Sequence, residues 1–415
     1  MKQDISCAAP LDETALGAAV AEFFRSVRPE RERLYDYYRG TQIVNKGEAV
    51  RGRPNNLLRI PFPRYITEVH TGYFLGLSPT FAFATPEAGS AFSALADTLQ
   101  LQHLLYDIGR DLSICGAGFA LVWLDQTGLR AVRCDPLNCF TLRSATAMAA
   151  PLGTVRLYQD AEGNTQGVLH QSDRLLRFLW DGSRVRFTGS EENLTGALTL
   201  IPFTNNCEGC GDFEPVTDLV DAYNLLLSGA MDDMQSVANA FLALYGMQGT
   251  TQEDINAANR NRILALSEGG RAEFVVKNLN HEALSQLEHN LRRSILQLSM
   301  TPDLSDESFA GSASGVALQY KLWGIEQIRA AKERSFTEGL HRLLTTFTAG
   351  LALLGSPVDL SSAQITFYKN LPENRKEQVE LLLSLGDLLS KRTLLEQLPW
   401  VKDVDAEMAR KTEET

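Results

Sequence analysis

The run Gly311-Ser312-Ala313-Ser314-Gly315 has the outline of the nucleophile elbow of serine hydrolases, in which a strained turn presents an activated hydroxyl. That chemistry needs serine at the central position, here Ala313, and a strand ahead of the turn, whereas the residues ahead of this one repeat with helical period. A hydrolase built on the 311–315 serine loop is therefore only an alternative. Cys207-Glu208-Gly209-Cys210 is the second candidate, because a C-x-x-C pair supplies half a tetrahedral zinc site or a redox couple. Cys134 and Cys139 would have to complete the four thiolates, and their four intervening residues fit that poorly. Two thiols in a turn beside Asn205 and Asn206 is the plainer expectation, with a zinc-dependent enzyme as a further alternative. His70, His103, His170, His281, His289 and His341 stand apart in sequence, and even His281 and His289 are about two helical turns from each other. No G-x-x-x-x-G-K-[ST], H-E-x-x-H or G-x-G-x-x-G motif occurs. The chain is expected to be no enzyme and to carry no cofactor or metal.

Charge is the next signal. The net charge of −12 argues against a surface that grips nucleic-acid phosphates. From Phe187 to Asn259 there is no basic residue, while Glu191, Glu192, Glu208, Asp212, Glu214, Asp218, Asp221, Asp232, Asp233, Glu253 and Asp254 fall inside. Such a stretch is either a solvated acidic face or a wall past which DNA moves without sticking, since carboxylates repel phosphate over about 10 Å at moderate salt. Arg25, Arg28, Arg31, Arg33, Arg39, Arg51, Arg53, Arg59 and Arg64 cluster early, interleaved with Tyr35, Tyr37, Tyr38, Phe62 and Tyr65. These are expected to form a salt-bridged face toward acidic residues of a neighbouring subunit, in preference to a stacking surface for single strands.

The elements that position these groups follow from periodicity. The balance of 44% apolar and 22% charged residues is globular, and 415 residues suffice for two or three domains of core. No apolar run approaches the roughly 18 residues of a membrane span, and Met1-Lys2-Gln3-Asp4 lacks a signal layout, so folding in a cytoplasm with reduced thiols is expected. Leu284, Leu287, Leu291, Ile295 and Leu298 mark a helix over His281–Ser299, and Val316 to about Leu354 reads as a longer one that Gly324, Gly339 and Gly350 could bend. Between them lies a flexible acidic loop with Pro302 as its stop signal and Gly311, Ser312, Ser314 and Gly315 as turn residues. Glu214–Tyr245 reads as one helix of about 45 Å at about 1.5 Å per residue. A helical lead is expected over residues 1–35, a helix over Ala91–Cys115, and strands at Phe119–Leu124, Gly153–Tyr158, Leu175–Leu179, Ala272–Val276 and Gln364–Tyr368. Helices are expected over Gln252–Leu266 and from Pro372 onward.

Five blocks, in order, resemble tailed-bacteriophage portal proteins (head–tail connectors), the family found in siphophages and prophages of Gram-positive hosts. They are Tyr37-Tyr38-Arg39-Gly40 with Arg53-Pro54-Asn55-Asn56; Tyr65-Ile66-Thr67-Glu68-Val69 with Thr71-Gly72-Tyr73-Phe74-Leu75-Gly76-Leu77-Ser78-Pro79; Gly116–Trp123 with Asp135-Pro136; Gly211-Asp212-Phe213-Glu214 with Asp221-Ala222-Tyr223-Asn224; and the Met300–Lys321 segment. The resemblance covers most of residues 35–370.

That resemblance implies an α+β, mostly helical portal fold. Its parts would be an N-terminal lead and α/β wing (1–214), a first stem helix (215–245), a small α/β clip (246–280) and a second stem helix (281–300). A tunnel loop (301–314), a long helix with a strand returning to the wing (315–371) and a short helical crown (372–415) would follow. It also implies a homo-oligomeric ring of twelve subunits at one capsid vertex, through which double-stranded DNA passes without sequence specificity during packaging and ejection. Expected partners are the terminase large subunit, which would supply the ATPase, the major capsid and scaffold proteins, and a head–tail adaptor. The protein would sit in the virion, and in host cytoplasm during assembly. The tunnel-loop residues would be Pro302, Asp303, Leu304, Ser305, Asp306, Glu307, Phe309, Gly311, Ser314 and Gly315, with Asp218, Asp221, Asp232 and Asp233 as acidic stem or channel candidates. A head-assembly adaptor without a channel is the remaining alternative.

Overall fold

A computed structural model describes residues 4–7, 11–47, 54–126, 128–144, 151–238, 241–245, 251, 253, 256, 271–275, 281–305, 315–370 and 408. The chain divides into two compact units, residues 1–368 and 369–415. Only Lys369, Asn370 and Met408 of the second are described, so the helix expected from Pro372 lies, Met408 apart, outside the described residues. So does the helix expected over Gln252–Leu266, apart from Glu253 and Asn256.

The first unit opens with a strand, where a helical lead was expected. β1 (Asp4–Cys7) runs parallel to β5 (Cys139–Ser144), a partner too distant in sequence for local patterning to reveal. α1 (Glu13–Glu22) starts where the Asp12 carboxylate accepts the Ala15 N–H at 2.7 Å. A single π-turn over Phe23–Val27 leads into α2 (Arg28–Arg39), which ends at Gly40 in the left-handed region (φ 74). α3 is Phe62–Leu75. The helix expected over Ala91–Cys115 is two, α4 (Pro86–Thr98) and α5 (Leu101–Cys115), because Gln100 adopts φ 49 and breaks the ladder.

β3 (Ala117–Asp125), β6 (Pro151–Gln159) and β8 (Arg174–Trp180) contain the three strands expected in the first half. A six-stranded sheet runs in the order β1-β5-β6-β7-β8-β9, with β7 over Thr165–His170 and β9 over Val185–Glu192. A three-stranded sheet has the order β10-β3-β4, with β4 over Gly128–Cys134 and β10 over Leu200–Thr204. β2 (Thr80–Ala82) pairs with β13 (Gln364–Thr366), which carries the chain back from its long helix.

α6 covers Thr217–Ala238, shorter than the expected Glu214–Tyr245, and at about 1.5 Å per residue spans about 33 Å. Phe241 and Leu242, which also fit a helical stripe, belong to β11 (Phe241–Tyr245), antiparallel to β12 (Arg271–Val275). An apolar run of five residues fits either period, and here the ladder partner decides. α7 (His281–Leu298) and α8 (Gly315–Leu353) lie where expected.

α8 packs Phe336, Leu340, Leu343, Leu344 and Phe347 into a core shared with Phe74, Ile108 and Phe203. The Phe74 and Phe336 rings meet edge-on at 5.4 Å, and each such buried side chain contributes about 1.5–3 kcal/mol. The α8 glycines serve close approach: a Cβ on Gly339 would lie 2.3 Å from Phe203 Cδ1, and one on Gly350 2.4 Å from Leu129 Cδ1. A second core joins α2, α3, α5, α6 and α7 through Leu34, Ile66, Ile114, Phe213, Val220 and Ile295.

Candidate functional site at the base of the interhelical loop

α7 stops in a left-handed turn. Met300 has φ 53, its N–H reaches Gln297 O at 3.1 Å, and the Thr301 N–H reaches Leu296 O at 2.9 Å, closing the helix in a Schellman pattern. A non-glycine residue there costs about 1–2 kcal/mol. Packing holds it in place, since a Cβ on Gly324 of α8 would lie 3.2 Å from the Met300 Cβ. Pro302 follows and blocks any return to helix.

The next residues are fastened down. The Tyr65 hydroxyl of α3 donates to Pro302 O at 2.9 Å and accepts the Leu304 N–H at 3.2 Å. Asp303 pairs with Arg292 at 3.1 Å and accepts the Ser305 hydroxyl at 2.6 Å. Partial burial alone would raise the Asp303 carboxyl, but Ser305 and Arg292 outweigh it and hold it below the usual range. Pro302, Asp303, Leu304 and Ser305, expected in a mobile acidic loop, thus form its foot, with Pro302 buried, Asp303 half-buried and Leu304 and Ser305 exposed. Asp306, Glu307, Phe309, Gly311 and Ser314 lie outside the described residues, and Gly315 opens α8.

Beneath this foot lies a buried charge cluster that sequence reasoning missed. Lys332 Nζ of α8 donates to Asp212 Oδ2 at 2.5 Å, with side chains 3% and 2% exposed. His70 of α3 lies with Nδ1 3.4 Å from the same oxygen and Nε2 2.9 Å from the Thr301 hydroxyl. The Ser113 hydroxyl at 2.5 Å and Asn205 Nδ2 at 2.8 Å complete the carboxylate's donors. Burial pushes the Asp212 carboxyl up, but Lys332 and His70 pull it well below the usual carboxylate range. Lys332, Asp212, His70 and Thr301 therefore connect the helix after the loop to the residue just before it.

The turn at Cys207–Cys210 positions that aspartate. Asn206 Oδ1 accepts the N–H groups of Glu208, Gly209 and Cys210 at 3.1, 2.8 and 3.1 Å, while Asn205 Nδ2 reaches Cys210 O at 2.9 Å. A Cβ on Gly211 would lie 2.4 Å from Ile114 O, so only glycine lets the chain pass before the Asp212 N–H meets Ser113 O at 2.8 Å. The turn beside Asn205 and Asn206 is as expected. Cys207 is exposed, whereas Cys134 and Cys139 are buried between strands, and among the described residues no three His, Cys, Asp or Glu side chains converge into a metal cage.

The acidic stretch is not one solvated face. Asp212 is in the core, Asp221 accepts the Tyr37 hydroxyl at 2.6 Å, and Asp232 forms an ion pair with Lys46 and accepts the Asn56 N–H at 2.8 Å. Asp218 is exposed and Asp233 half-buried. The early arginines are likewise engaged within the chain. Glu22, Glu32 and Glu30 pair with Arg25, Arg28 and Arg33, while Arg31 is buried and donates to Cys139 O at 2.7 Å and to Pro136 O. Arg51 and Arg53 lie outside the described residues. Among the described residues no helix is long and apolar enough to cross a membrane.

Comparison with known proteins places the class. The chain belongs to the phage portal protein family: the family described as "Phage portal protein, SPP1 Gp6-like" matches residues 25–415. It is 25% identical over 225 residues to the portal protein of Bacillus phage SPP1, covering 53% of this chain and 44% of that one. It is 23% identical over 215 residues to the portal protein of Clostridium phage phiCD119, covering 50% and 47%. The matched regions span less than half the length of these two relatives.

Proposed function

We propose that this chain is the subunit of a ring-shaped channel at one capsid vertex, through which double-stranded DNA is packaged and ejected. The family match over residues 25–415 carries the reading. The family is structural, so the driving ATPase would be a terminase docked on the ring, with capsid and scaffold proteins around it and a head–tail adaptor below. Twelve subunits is the expected number. In this reading residues 1–214 form the N-terminal lead and wing, α6 and α7 the stem, β11 and β12 part of the clip, and 372–415 the crown.

The foot at Pro302–Ser305 suits a loop held at the rim of a bore. Asp306, Glu307 and Phe309 would face DNA, the two carboxylates repelling phosphate so that the duplex slides. Asp221 and Asp232 already have partners within the chain, which removes them as carboxylates free to line the wall. End-on particle images of the purified protein test the ring: about twelve subunits around an open hole are expected, and a persistent monomer argues for the adaptor alternative. Deleting residues 306–311 should lower packaging or DNA retention, and unchanged values would remove the loop from the mechanism.

A further inference from the structure

α6 and α7 are antiparallel neighbours whose register is fixed by one bond, the Tyr223 hydroxyl donating to Glu288 Oε1 at 2.6 Å. Counting five residues from that rung toward the loop base along each helix, about 7.5 Å, puts Asp218 level with Arg293. Both side chains are exposed, and among the described residues neither has a hydrogen bond or ion pair. They are level and opposite in charge, yet unpaired with each other, so their charges face different sides of the helix pair.

Their surroundings differ in sign. Arg293 lines a cleft of about 840 Å³ with His289, Arg292 and Lys321, in which Asp303 is already matched by Arg292. Among the described residues Arg293 brings to this cleft a positive charge that no ion pair matches. Asp218 shares a face with Ala222 and Leu225 on α6, a helix that contains no Lys, Arg or His. Leu225 is 43% exposed there.

We propose that Arg293 of one copy pairs with Asp218 of the next, seating the Asp218–Leu225 face of α6 in the cleft beside α7. The inference rests on the ring reading above, with the helix pair running along the ring axis. Rotation about that axis preserves height, so each residue meets residues at its own level in the neighbouring copy, and the contact is of the head-to-tail kind that closes rings. At the height of Arg293 the neighbour's available flank carries Asp218.

A charge swap tests it. Arg293→Glu and Asp218→Arg should each raise the concentration for half-assembly by about 5-fold or more per interface. The double variant, in which every interface again holds one charge of each sign, should return toward wild type. Ring fraction is read by light scattering and particle images, with circular dichroism confirming that each variant is folded. A wild-type ring in which Arg293→Glu assembles equally well overturns this interface alone. So does a double variant no better than the single ones, or an Arg293→Glu ring that assembles normally but loses DNA binding. A wild-type chain that never forms rings overturns the ring reading and this interface with it.

Discussion

Replacing Lys332 with Met keeps the length of the side chain and removes the charge facing Asp212. The pair is 3% and 2% exposed, and removing one member of a buried ion pair costs about 3–5 kcal/mol because the other charge is left in a poor solvent. Ser113, Asn205 and His70 remain around the carboxylate, which puts the expected loss near 3 kcal/mol. The pH dependence has a definite sign. With Lys332 present the folded-state pKa of Asp212 is depressed, so the contribution of the carboxylate is complete above its unfolded value of about 3.9 and fades only as pH falls through the folded value. Without Lys332 the largest pull against burial is lost, and the folded pKa is expected to rise above the unfolded one although His70 remains. The variant is then best stabilised in mild acid and loses stability as pH rises through the new folded value. Urea unfolding at pH 5 and pH 8 should therefore show a larger gap from wild type at pH 8. Lys332→Met combined with Asp212→Asn should recover about 1–2 kcal/mol of the loss, because no bare charge remains. A cost below about 0.5 kcal/mol at both pH values, the range of a surface change, or a gap that ignores pH, would refute the argument.

Three further outcomes follow from the same geometry. Tyr65→Phe removes two hydrogen bonds from the loop foot and should cost about 1–2 kcal/mol in urea unfolding, with faster amide exchange at Leu304 than in wild type. Gly339→Ala drives a methyl to 2.3 Å from Phe203 and should destabilise by about 1–3 kcal/mol, read as a lower thermal midpoint. In a thiol titration Cys207 should react first and Cys210 more slowly. Cys7, Cys115, Cys134 and Cys139 should react only on unfolding, being buried, with the Cys115 thiol pushed up to about 12 by that burial.

Much of the frame was legible because long periodic runs leave little choice. α7 and α8 fall within a residue of their expected limits, and the strands around Phe119, Val155 and Phe178 are where alternation put them. The errors have physical causes. Gln100 takes a left-handed turn that nothing in an apolar-rich run announces, and Phe241–Tyr245 fits both periods until its partner strand is known. Charge in the sequence was read as exposure, so the buried cluster went unseen. One signal was present: Lys332 stands in helical phase with Ile325, Phe336 and Leu340, all buried, and a lysine on an apolar stripe needs a buried partner. Asp212, between Gly211 and Phe213, is that partner.

Met300 and Gly324 touch, and Thr301 is tied to Lys332 through His70 and Asp212, so the point where the chain leaves α7 is locked against the body of α8. Lengthening the loop that follows costs little, about 0.6 kcal/mol for each doubling of loop length, while the residues that fasten it are fixed by contacts inside the scaffold. Changes of length between residues 305 and 315 are therefore expected to leave these anchors intact, which makes that stretch the place to exchange segments between relatives.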